Sequence, residues 1–456
     1  MTSIKTKKRL ESILLLACRS PFLDDDKIYA PMGILYLDAA IKRDLPDVKV
    51  EIDDNYNLES EEGLEKFKDF DVIGPSIMTP QREEAHKILT AIKSRWPKKV
   101  MIAGGPHVLH YLDDIQKEPW DYLVMRDGER DIIKILKGEA ENRVLNDMLM
   151  RHELKQIPKP DRIGRKKFLD GYHYELKPGI RSTVLTIGRG CPMKCTFCED
   201  AMTLTRWHDI ELVDQELEDI KQLGYGAVFI PDDLPAINLK KFKPYMESMK
   251  KRDLIFRCNG HAKFMTDEFA KALADYGCYE LSFGAESGSQ KILDNIKKET
   301  TVQQNYDSIR YATKYGIKVK AYLMIGLPGE DYNTIAENKE FIRRAINECG
   351  LYDFQLSIYY PYKGTQIRDA LDKGSIDLKI AGGLQLLGEG LGAHTQKKGS
   401  SEAVLRTSAL SPEDLLRIRD EIIQEYRPGS HTTAWYDKFR DTHLASKVEY
   451  DKKSCY

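Results

Sequence analysis

The chain has 456 residues, which is enough for two or three domains with well-sized cores. Lysine plus arginine number 70 and aspartate plus glutamate 72, which leaves a net charge of −2. That balance argues against non-specific binding to nucleic acid or to an anionic membrane surface. No stretch approaches the roughly 20 apolar residues of a membrane span. Only three of the 8 cysteines cluster, unlike the cysteines of a secreted disulfide scaffold. We therefore expect a cytoplasmic protein from a reducing, anaerobic compartment, with neither nucleic acid nor membrane as a partner.

Residues 1–140 alternate short apolar runs with helix-like stretches. The strands are predicted at 13–17, 48–52, 71–76, 100–105 and 122–125. This βα rhythm predicts an open, doubly wound parallel sheet of the Rossmann-like type. Such sheets bind their ligands outside the carboxyl ends of the strands, so we expect a binding site there.

Residues 141–180 are charged and punctuated by prolines, which predicts a connector with a short helix near 143–152. A second βα series fills 181–380, with strands at 183–187, 227–230, 254–258, 279–284, 318–325 and 354–359. Six such units predict a partial (β/α)6 barrel with its chemistry on the loops after the strands. Residues 381–456 are expected to form a C-terminal loop and a small, mostly helical cap. Its helix begins after Ser411 and reaches about Tyr426.

Three cysteines follow the first strand of the second series. Cys191, Cys195 and Cys198 are spaced four and three residues apart. Three thiolates in this pattern can hold three corners of a four-iron cluster and leave the fourth iron without a protein ligand. Phe197 stands beside the last cysteine and can shield the iron from water. The open iron predicts an enzyme rather than an electron carrier.

A structural zinc site is the alternative interpretation of these cysteines. It needs a distant fourth ligand, for which Cys258 and His208 are the candidates. Zinc ribbons more often use paired Cys-x-x-Cys knuckles, so the spacing favours the iron–sulfur cluster.

The cysteine run resembles the signature of the radical S-adenosylmethionine (SAM) superfamily. Later segments resemble further motifs of that superfamily in the same order, at 229–233, 284–288, 325–330 and 361–365, with Lys363 where proline is common. The resemblance covers roughly residues 181–367 and implies a [4Fe-4S] cluster that binds the methionine end of SAM. It also implies reductive cleavage of SAM to a 5′-deoxyadenosyl radical. The electron would come from an external reductant of the flavodoxin or ferredoxin type.

The resemblance assigns SAM contacts to residues after three of the strands. Asp232 and Asp233 would position the substrate or the methionine amine, although carboxylates that cap the loop are an equal alternative. Glu286 and Ser287 would contact the ribose, and a surface carboxylate is the alternative for Glu286. Gly326 would let the backbone approach the adenine, unless it is simply a turn glycine.

Two tyrosines near the mouth of the last strand are further candidates. Tyr359 and Tyr360 could donate a proton or a hydrogen atom to the reaction, together with the cluster cysteines. Packing aromatics are the more common role for tyrosines in such positions.

The N-terminal region resembles the cobalamin-binding domain that precedes many radical SAM enzymes. The matching segments are 30–37, 71–76, 103–107 and 127–129. They imply cobalamin contacts from small and polar residues at the strand ends: Ser76, Thr79, Gly104, Gly105, His107 and Glu129. The Asp-x-His-x-x-Gly motif of other cobalamin domains is absent, which predicts cobalt without a histidine at the usual lower position. A vestigial domain without a corrin is the alternative.

Taken together, the resemblance implies a cobalamin-dependent methyltransferase acting on an unactivated carbon of a small molecule or peptide. A cobalamin-dependent radical cyclase or oxidative rearrangement enzyme is the related alternative, and a radical SAM enzyme with a corrin-free N-terminal domain is another. A non-enzymatic iron–sulfur and corrin sensor belongs to a different class. The segments around Glu286 and Gly326 argue against it, because a sensor needs no nucleoside site.

Overall fold

A computed structural model describes residues 8–20, 25–381 and 403–426. Within these ranges the chain forms two large β-sheets in series. The segment 382–402 and the residues after 426, which the sequence assigns to the C-terminal region, lie outside the described residues. None of the described helices is both long and apolar enough to cross a membrane.

The first sheet has six parallel strands with helices on both faces. In chain order its strands are β1 (Ser12–Ala17), β2 (Lys49–Asp53), β3 (Val72–Ser76), β4 (Val100–Ala103), β5 (Tyr122–Val124) and β6 (Val144–Leu145). Its helices are α1 (Met32–Asp44), α2 (Glu61–Glu65), α3 (Arg82–Arg95), α4 (Pro106–His110), α5 (Leu112–Ile115) and α6 (Gly128–Lys137). The strand order β2-β1-β3-β4-β5-β6 reverses direction between β1 and β3. The expected doubly wound, Rossmann-like sheet is confirmed.

Strand β1 is apolar throughout because both of its faces are covered. Ile13 and Leu15 belong to the core on the α1 and α6 side. Leu14 and Leu16 belong to the core on the α3 side. This double burial explains why the strand is a continuous run of aliphatic residues rather than an alternating pattern.

The connecting region contributes to both sheets. The helix expected near 143–152 is wrong: β6 pairs there with β5, and only α7 (Arg151–Leu154) is helical. After α8 (Lys166–Leu169), β7 (Glu175–Lys177) pairs with the second sheet. Two-residue and three-residue strands carry too few side chains to show a period in the sequence.

The second sheet is a curled half-barrel of six parallel strands with β7 antiparallel at one edge. Its parallel strands are β8 (Ile180–Val184), β11 (Ala227–Ile230), β12 (Ile255–Gly260), β13 (Cys278–Glu286), β14 (Lys318–Ile325) and β15 (Asp353–Ile358), with the short ribbon β9 (Gly188–Arg189) and β10 (Arg206–Trp207) after β8. The helices are α9 (Ile210–Gln222), α10 (Leu239–Lys251), α11 (Asp267–Asp275), α12 (Gln290–Asn295), α13 (Val302–Lys314), α14 (Tyr332–Cys349) and α15 (Gln366–Asp372). All six predicted strands are present, although β8 begins and ends about three residues earlier than predicted.

The half-barrel strands have one fully buried and one partly exposed face. Along β12, β14 and β15, buried residues alternate strictly with half-buried ones. The buried residues, such as Phe256, Val319 and Phe354, pack with the surrounding helices in the largest core. The alternate residues, such as Arg257 and Lys320, therefore face the concave interior, which is polar.

The described part of the C-terminal region closes one side of the half-barrel. Strand β16 (Lys379–Ile380) pairs with β17 (Leu405–Arg406), and α16 (Pro412–Tyr426) follows. The hydroxyl of Ser411 accepts the Asp414 N–H at 3.1 Å, which makes it the expected N-cap of α16. The helix packs against β15 and α14.

The carboxyl edge of the first sheet faces the cysteine-bearing end of the half-barrel. Tyr36 of α1 donates its hydroxyl proton to the Thr186 carbonyl at 3.3 Å. Lys363, in the turn before α15, pairs with Asp114 of α5 at 2.8 Å. Lys363, which stands where the family commonly has proline, thus connects the half-barrel with the unit of the first sheet.

Candidate functional site

The three cysteines lie on a loop that is held at both ends. The β9–β10 ribbon encloses it, and the Cys191 N–H donates to Thr203 Oγ1 at 2.8 Å while the Thr203 N–H donates to the Cys191 carbonyl at 2.9 Å. Gly190 has a φ of +88°, and a Cβ there would lie 2.5 Å from the Leu204 carbonyl oxygen. Only glycine fits at this close approach of the two strands.

Further along, the same loop is tied to two helices of the half-barrel. The Thr196 N–H donates to the carbonyl of Ile296 at the end of α12, at 3.0 Å. The Thr196 carbonyl accepts the N–H of Ile367 in α15, also at 3.0 Å. Elements after β13 and β15 therefore hold the residue next to Cys195, which no local sequence pattern reveals.

The cysteine side chains point into an apolar environment. Cys195 is buried with Met193 and Leu234, while Cys191, Cys198, Phe197 and Phe264 pack partly buried around them. Burial raises the pKa of Cys191 to about 11 and that of Cys198 to about 12. Metal binding must therefore displace the thiol protons, as soft iron centres do when they bind thiolates. Three thiols among apolar side chains fit an iron–sulfur cluster shielded from water.

Neither candidate for the fourth ligand of a structural zinc site is available to bind metal. Cys258 is fully buried in the half-barrel core. His208 stacks on Tyr36 with ring centroids 5.1 Å apart, and burial lowers its pKa to about 3. Among the described residues no group of three or more His, Cys, Asp or Glu side chains can hold a single metal ion.

The two aspartates after β11 have different surroundings. Asp232 accepts the N–H groups of Ile187 at 2.9 Å and Gly188 at 2.6 Å, so it ties the end of β11 to the segment before the cysteines. Burial raises the pKa of Asp232 to about 8. Burial and the charge of Asp200 raise the pKa of Asp233 to about 6. Asp233 is close enough to Cys191 for its charge to help raise the pKa of that thiol.

Glu286 lies beneath the cysteine loop and is paired with a lysine that the sequence did not reveal. Lys298 Nζ and Glu286 Oε1 are 2.7 Å apart, with side chains only 7% and 8% exposed. Burial disfavours the ammonium, but the negative charges of Glu286 and Cys195 outweigh it and raise the pKa of Lys298. Lys298 also lies 5.8 Å from the Phe197 ring centroid. The lysine therefore places a positive charge beside the cysteines.

The backbone around Glu286 is shaped for this pair. Glu286 has a left-handed φ of +60°, and Gly284 leaves room for its side chain, because a Cβ there would lie 1.8 Å from Glu286 Oε1. Ser287 is fully buried, and its hydroxyl hydrogen-bonds with Asn338 Oδ1 at 3.2 Å. Ser287 thus serves the packing of α14 in this structure.

Gly326 lies in a tight turn after β14. Its φ is +86°, and a Cβ there would lie 3.2 Å from Leu415 of α16. Its N–H donates to the carboxylate of Glu330, which is fully buried and whose pKa burial raises to about 8. Gly326 therefore forms the turn and also leaves room for the C-terminal helix α16 to pack against it.

The two candidate tyrosines are buried. Tyr359 and Tyr360 belong to a small core with Leu327 and Ile367, against which Phe197 packs. Burial raises the pKa of both phenols, that of Tyr360 to about 12. Their packing with Phe197 connects them to the cysteine loop through that aromatic ring.

A cavity of about 270 Å³ opens at the carboxyl edge of the first sheet, and we call it the edge cavity. Four of the expected cobalamin contacts line it: Ser76, Gly104, Gly105 and Glu129. Thr79 and His107 lie outside its lining. Their side chains are 3.3 Å apart, and His107 stacks on Tyr111 at 4.9 Å. Burial lowers the pKa of His107 to about 4.

Gly105 is required by the backbone of the edge cavity. It has a φ of +98°, and a Cβ there would lie 2.7 Å from both the nitrogen and the carbonyl oxygen of Ile77. Gly104 has open space in front of it, with no atom nearer than the Val124 carbonyl oxygen at 4.0 Å. Gly105 thus shapes the wall of the edge cavity, and Gly104 leaves the cavity open.

Two arginines join the edge cavity to the cysteine loop. Arg189 pairs with Asp127 and Glu129, each at 2.6 Å, and it lines the edge cavity. Arg206, opposite it in the ribbon, pairs with Asp127 as well. Neither arginine was predicted from the sequence. The only local signal was the position of Arg189 two residues before Cys191.

Residues 185–342 match the model of the radical SAM superfamily. The chain is 26% identical to an uncharacterized methyltransferase of Pyrococcus horikoshii over 74% of this chain and 77% of that protein. It is 28% identical to the anaerobic magnesium-protoporphyrin IX monomethyl ester cyclase of Rubrivivax gelatinosus over 60% of this chain. That match covers 54% of the cyclase, so the chain spans about half the length of this relative.

The fold also matches a solved structure. The radical SAM methyltransferase TsrM from Kitasatospora setae, with cobalamin and a [4Fe-4S] cluster bound, superposes with a TM-score of 0.63 at 16% identity. The match covers 81% of this chain and 80% of that one. The chain therefore contains a segment similar to the radical SAM superfamily, and it shares the two-sheet fold of TsrM, as expected from the sequence.

Proposed function

We propose that this protein is a cobalamin-dependent radical SAM methyltransferase. The observation that carries the proposal is Arg189, which follows β8, lies two residues before Cys191 and lines the edge cavity of the first sheet. One side chain thus joins the loop suited to an iron–sulfur cluster to the cavity suited to a corrin. The methyltransferases among the similar proteins support the proposal.

The residues of the cysteine loop have separable roles in this proposal. Cys191, Cys195 and Cys198 would hold a [4Fe-4S] cluster, and Phe197 would exclude water from it. Lys298 would offset the negative charge of the thiolates, since a buried cation nearby stabilises added negative charge. Asp233 would receive the methionine ammonium of SAM.

The edge cavity would hold part of the cobalamin. Parallel sheets receive ligands at this edge, and the missing side chain of Gly104 permits close approach. His107 is buried against Tyr111 and Thr79 rather than lining the cavity, which supports cobalt without His107 as its lower ligand. When bound, the cluster supplies the electron that cleaves SAM, and cobalamin supplies the methyl group.

The substrate in this proposal is a small molecule, and the electron comes from an external flavodoxin or ferredoxin. The cytoplasm remains the proposed location. The seven cysteines within the described residues are all free thiols, which supports a reducing compartment.

The test is anaerobic reconstitution with iron, sulfide and hydroxocobalamin, followed by dithionite and SAM. We expect corrin absorption bands at about one corrin per chain after desalting, and formation of 5′-deoxyadenosine. Cys195→Ser should abolish the 5′-deoxyadenosine and leave corrin retention intact. Gly104→Leu, whose side chain fills the edge cavity, should lose the corrin, and Gly104→Ala is the matched control that keeps it.

Other outcomes point to the alternatives. Formation of 5′-deoxyadenosine without corrin retention would show a radical SAM enzyme with a corrin-free N-terminal domain. Corrin retention without 5′-deoxyadenosine would support the non-enzymatic sensor. Retention of the corrin by Gly104→Leu would refute the assignment of the edge cavity.

A further inference from the structure

A small apolar core under the cysteine loop extends towards the protein surface. Met193, Cys195 and Leu234 are its buried residues. Ile237, before α10, and Phe264, after β12, are only partly buried against it. A molecule that contacts these two side chains from outside therefore approaches the cysteine loop from its solvent-facing side.

Exposed lysines flank this apolar core. They come from four separate segments of the half-barrel, and we call them the lysine face: Lys194, Lys240, Lys241, Lys263 and Lys297. Lys194 is adjacent to Cys195, and its side chain is 63% exposed. Lys297 follows Ile296, whose carbonyl accepts the Thr196 N–H of the cysteine loop. The lysine face therefore reaches the cysteine loop itself.

Backbone pairing and one carboxylate hold the segments of the lysine face next to one another. Ala236, in the chain before α10, pairs with Gly260 at the end of β12, three residues before Lys263. Glu299 pairs with Lys263 at 2.6 Å and with Lys194 at 3.8 Å. The lysines therefore lie on one surface although they are distant in the chain.

Positive charge predominates on the lysine face. Glu299 is the only acidic residue in the segments 190–198, 234–243, 261–266 and 296–299. It is shared by two of the lysines. The other three form no ion pair with any residue that the structure describes: Lys240, Lys241 and Lys297. Their charges are therefore available to a partner.

The acidic residues that flank these segments do not neutralise them. Asp267 pairs with Lys314 at 2.8 Å, and Asp294 accepts the side-chain amide of Gln290 at 2.9 Å. Glu268 adds a single exposed carboxylate. The three lysines without an ion pair therefore outnumber it.

The acidic residues that follow the cysteines face the first sheet's unit instead. Glu199 Oε2 lies 3.5 Å from Nε2 of His110, in α4. Burial lowers the pKa of His110, and the negative charge of Asp200 opposes that shift. These carboxylates thus gather where the loop meets the first sheet's unit, whereas the lysine face is built around Glu299.

The lysines at the start of α10 are not explained by the stability of that helix. Lys240 and Lys241 lie in its first turn, which follows the N-cap Asn238 and contains no acidic residue. The amino end of a helix carries a partial positive charge, so lysines are unfavourable there. Their position therefore indicates a role in binding.

We propose that the lysine face docks a small acidic electron-transfer protein, which delivers one electron to the cluster on the three cysteines. The partner's carboxylates would meet the lysines, and Ile237 and Phe264 would form the apolar centre of a small interface. Weak redox encounters use interfaces below about 1,200 Å². One electron leaves the reduced carrier and enters the cluster, and no bond forms or breaks in this transfer. The catalytic purpose of the docking rests on the proposed function, whereas the charge of the partner rests on the lysine face alone.

Two small redox proteins of opposite charge test the proposal. Flavodoxin has an acidic surface and cytochrome c a basic one, and the binding of each oxidised protein to the full-length, cluster-free chain is measured by calorimetry. We expect flavodoxin to bind at least about tenfold more tightly than cytochrome c at low salt. The difference should shrink as the ionic strength rises to about 0.15 M.

Variants locate the binding on the lysine face. Lys240→Gln/Lys241→Gln should weaken flavodoxin binding about fivefold, because two unpaired charges are lost. Lys250→Gln/Lys251→Gln is the matched control. Its two lysines are exposed at the other end of the same helix, about 14 Å along the axis, so the same loss of net charge should leave the affinity unchanged.

The reconstituted protein gives a second measurement, the formation of 5′-deoxyadenosine with either dithionite or reduced flavodoxin. Dithionite is a small molecule that needs no docking surface. Lys240→Gln/Lys241→Gln should therefore match the wild type with dithionite, and be about fivefold slower with flavodoxin at concentrations below saturation.

Equal flavodoxin affinities in the two double variants would overturn the docking site. Failure of flavodoxin to bind, or tighter binding of cytochrome c or of a short DNA duplex, would overturn the class of partner. Absence of 5′-deoxyadenosine with both reductants, with flavodoxin binding intact, would refute the proposed function and leave the docking site standing.

Discussion

Replacement of Lys298 by methionine should destabilise the fold and change the electrostatics of the cysteine loop. Lys298 and Glu286 are 2.7 Å apart and 7% and 8% exposed, so the change leaves a carboxylate buried without its partner. Breaking a buried ion pair in this way costs about 3–5 kcal/mol, because the desolvation of the remaining charge is no longer offset. We expect Lys298→Met to lower the free energy of unfolding by about 3 kcal/mol.

The assay is anaerobic urea denaturation of the cluster-free protein, followed by far-ultraviolet circular dichroism. The double variant Lys298→Met/Glu286→Gln should recover at least half of the lost stability, because it removes the buried charge as well. Lys291→Met is the matched control. Lys291 pairs with Asp331 at 2.9 Å while 54% exposed, so its loss should cost less than about 1 kcal/mol.

A destabilisation by Lys298→Met no larger than that of the control would refute this reasoning. It would mean that Glu286 is solvated and open to a ligand, as the sequence resemblance implies. The reconstituted protein gives a second measurement, the midpoint potential of the cluster by electron paramagnetic resonance. Removal of a nearby positive charge should make that potential more negative, since the reduced cluster carries the additional negative charge.

Three further predictions concern stability, each measured by denaturation. Gly105→Ala should lose at least about 2 kcal/mol, because of the φ of +98° and the clash with facing backbone, while Gly33→Ala, in open space on α1, should not destabilise. Arg162→Met should cost about 3–5 kcal/mol because Arg162 and Glu216 are 0% and 2% exposed, and Arg162→Met/Glu216→Leu should restore most of it. The pKa of Glu330 is raised from 4.5 to about 8, so its contribution is full below pH 4.5 and is lost as the pH rises through 8. Relative to Glu330→Gln, the wild type should therefore lose up to about 1.4 kcal/mol per pH unit across that interval, and parallel profiles would contradict this.

The main strands were predictable because each one is long enough for its apolar residues to form a recognisable buried-strand pattern in the sequence. The run Ile13–Leu16 is apolar on both faces, and both faces are covered by helices. The short strands β6 and β7 were not predictable, because Val144–Leu145 and Glu175–Lys177 gain their structure from pairing with a sheet edge. Tertiary pairing of this kind leaves no period in the sequence.

In the candidate site too, the features set by neighbouring residues were predictable, and those set by residues distant in the chain were not. The cysteine spacing is local, so the loop was predictable from the sequence. Lys298 and Arg189 act through contacts with Glu286 and with Asp127 and Glu129, which only the folded chain brings together. The segment around Glu286 was predicted as a ribose contact from its motif. Its burial and ion pair depend on Lys298, twelve residues further along the chain.

Arg189 also connects the two binding events that the proposed function requires. Its guanidinium is held by Asp127 and Glu129 at the start of α6, and its backbone forms the β9–β10 ribbon that encloses the cysteines. A molecule that enters the edge cavity meets this guanidinium, because Arg189 belongs to the lining. Any change in the pairing of Arg189 must then act on the ribbon two residues from Cys191. We therefore expect occupation of the edge cavity to act on the cysteine loop through Arg189 and through Arg206, which shares Asp127 with it.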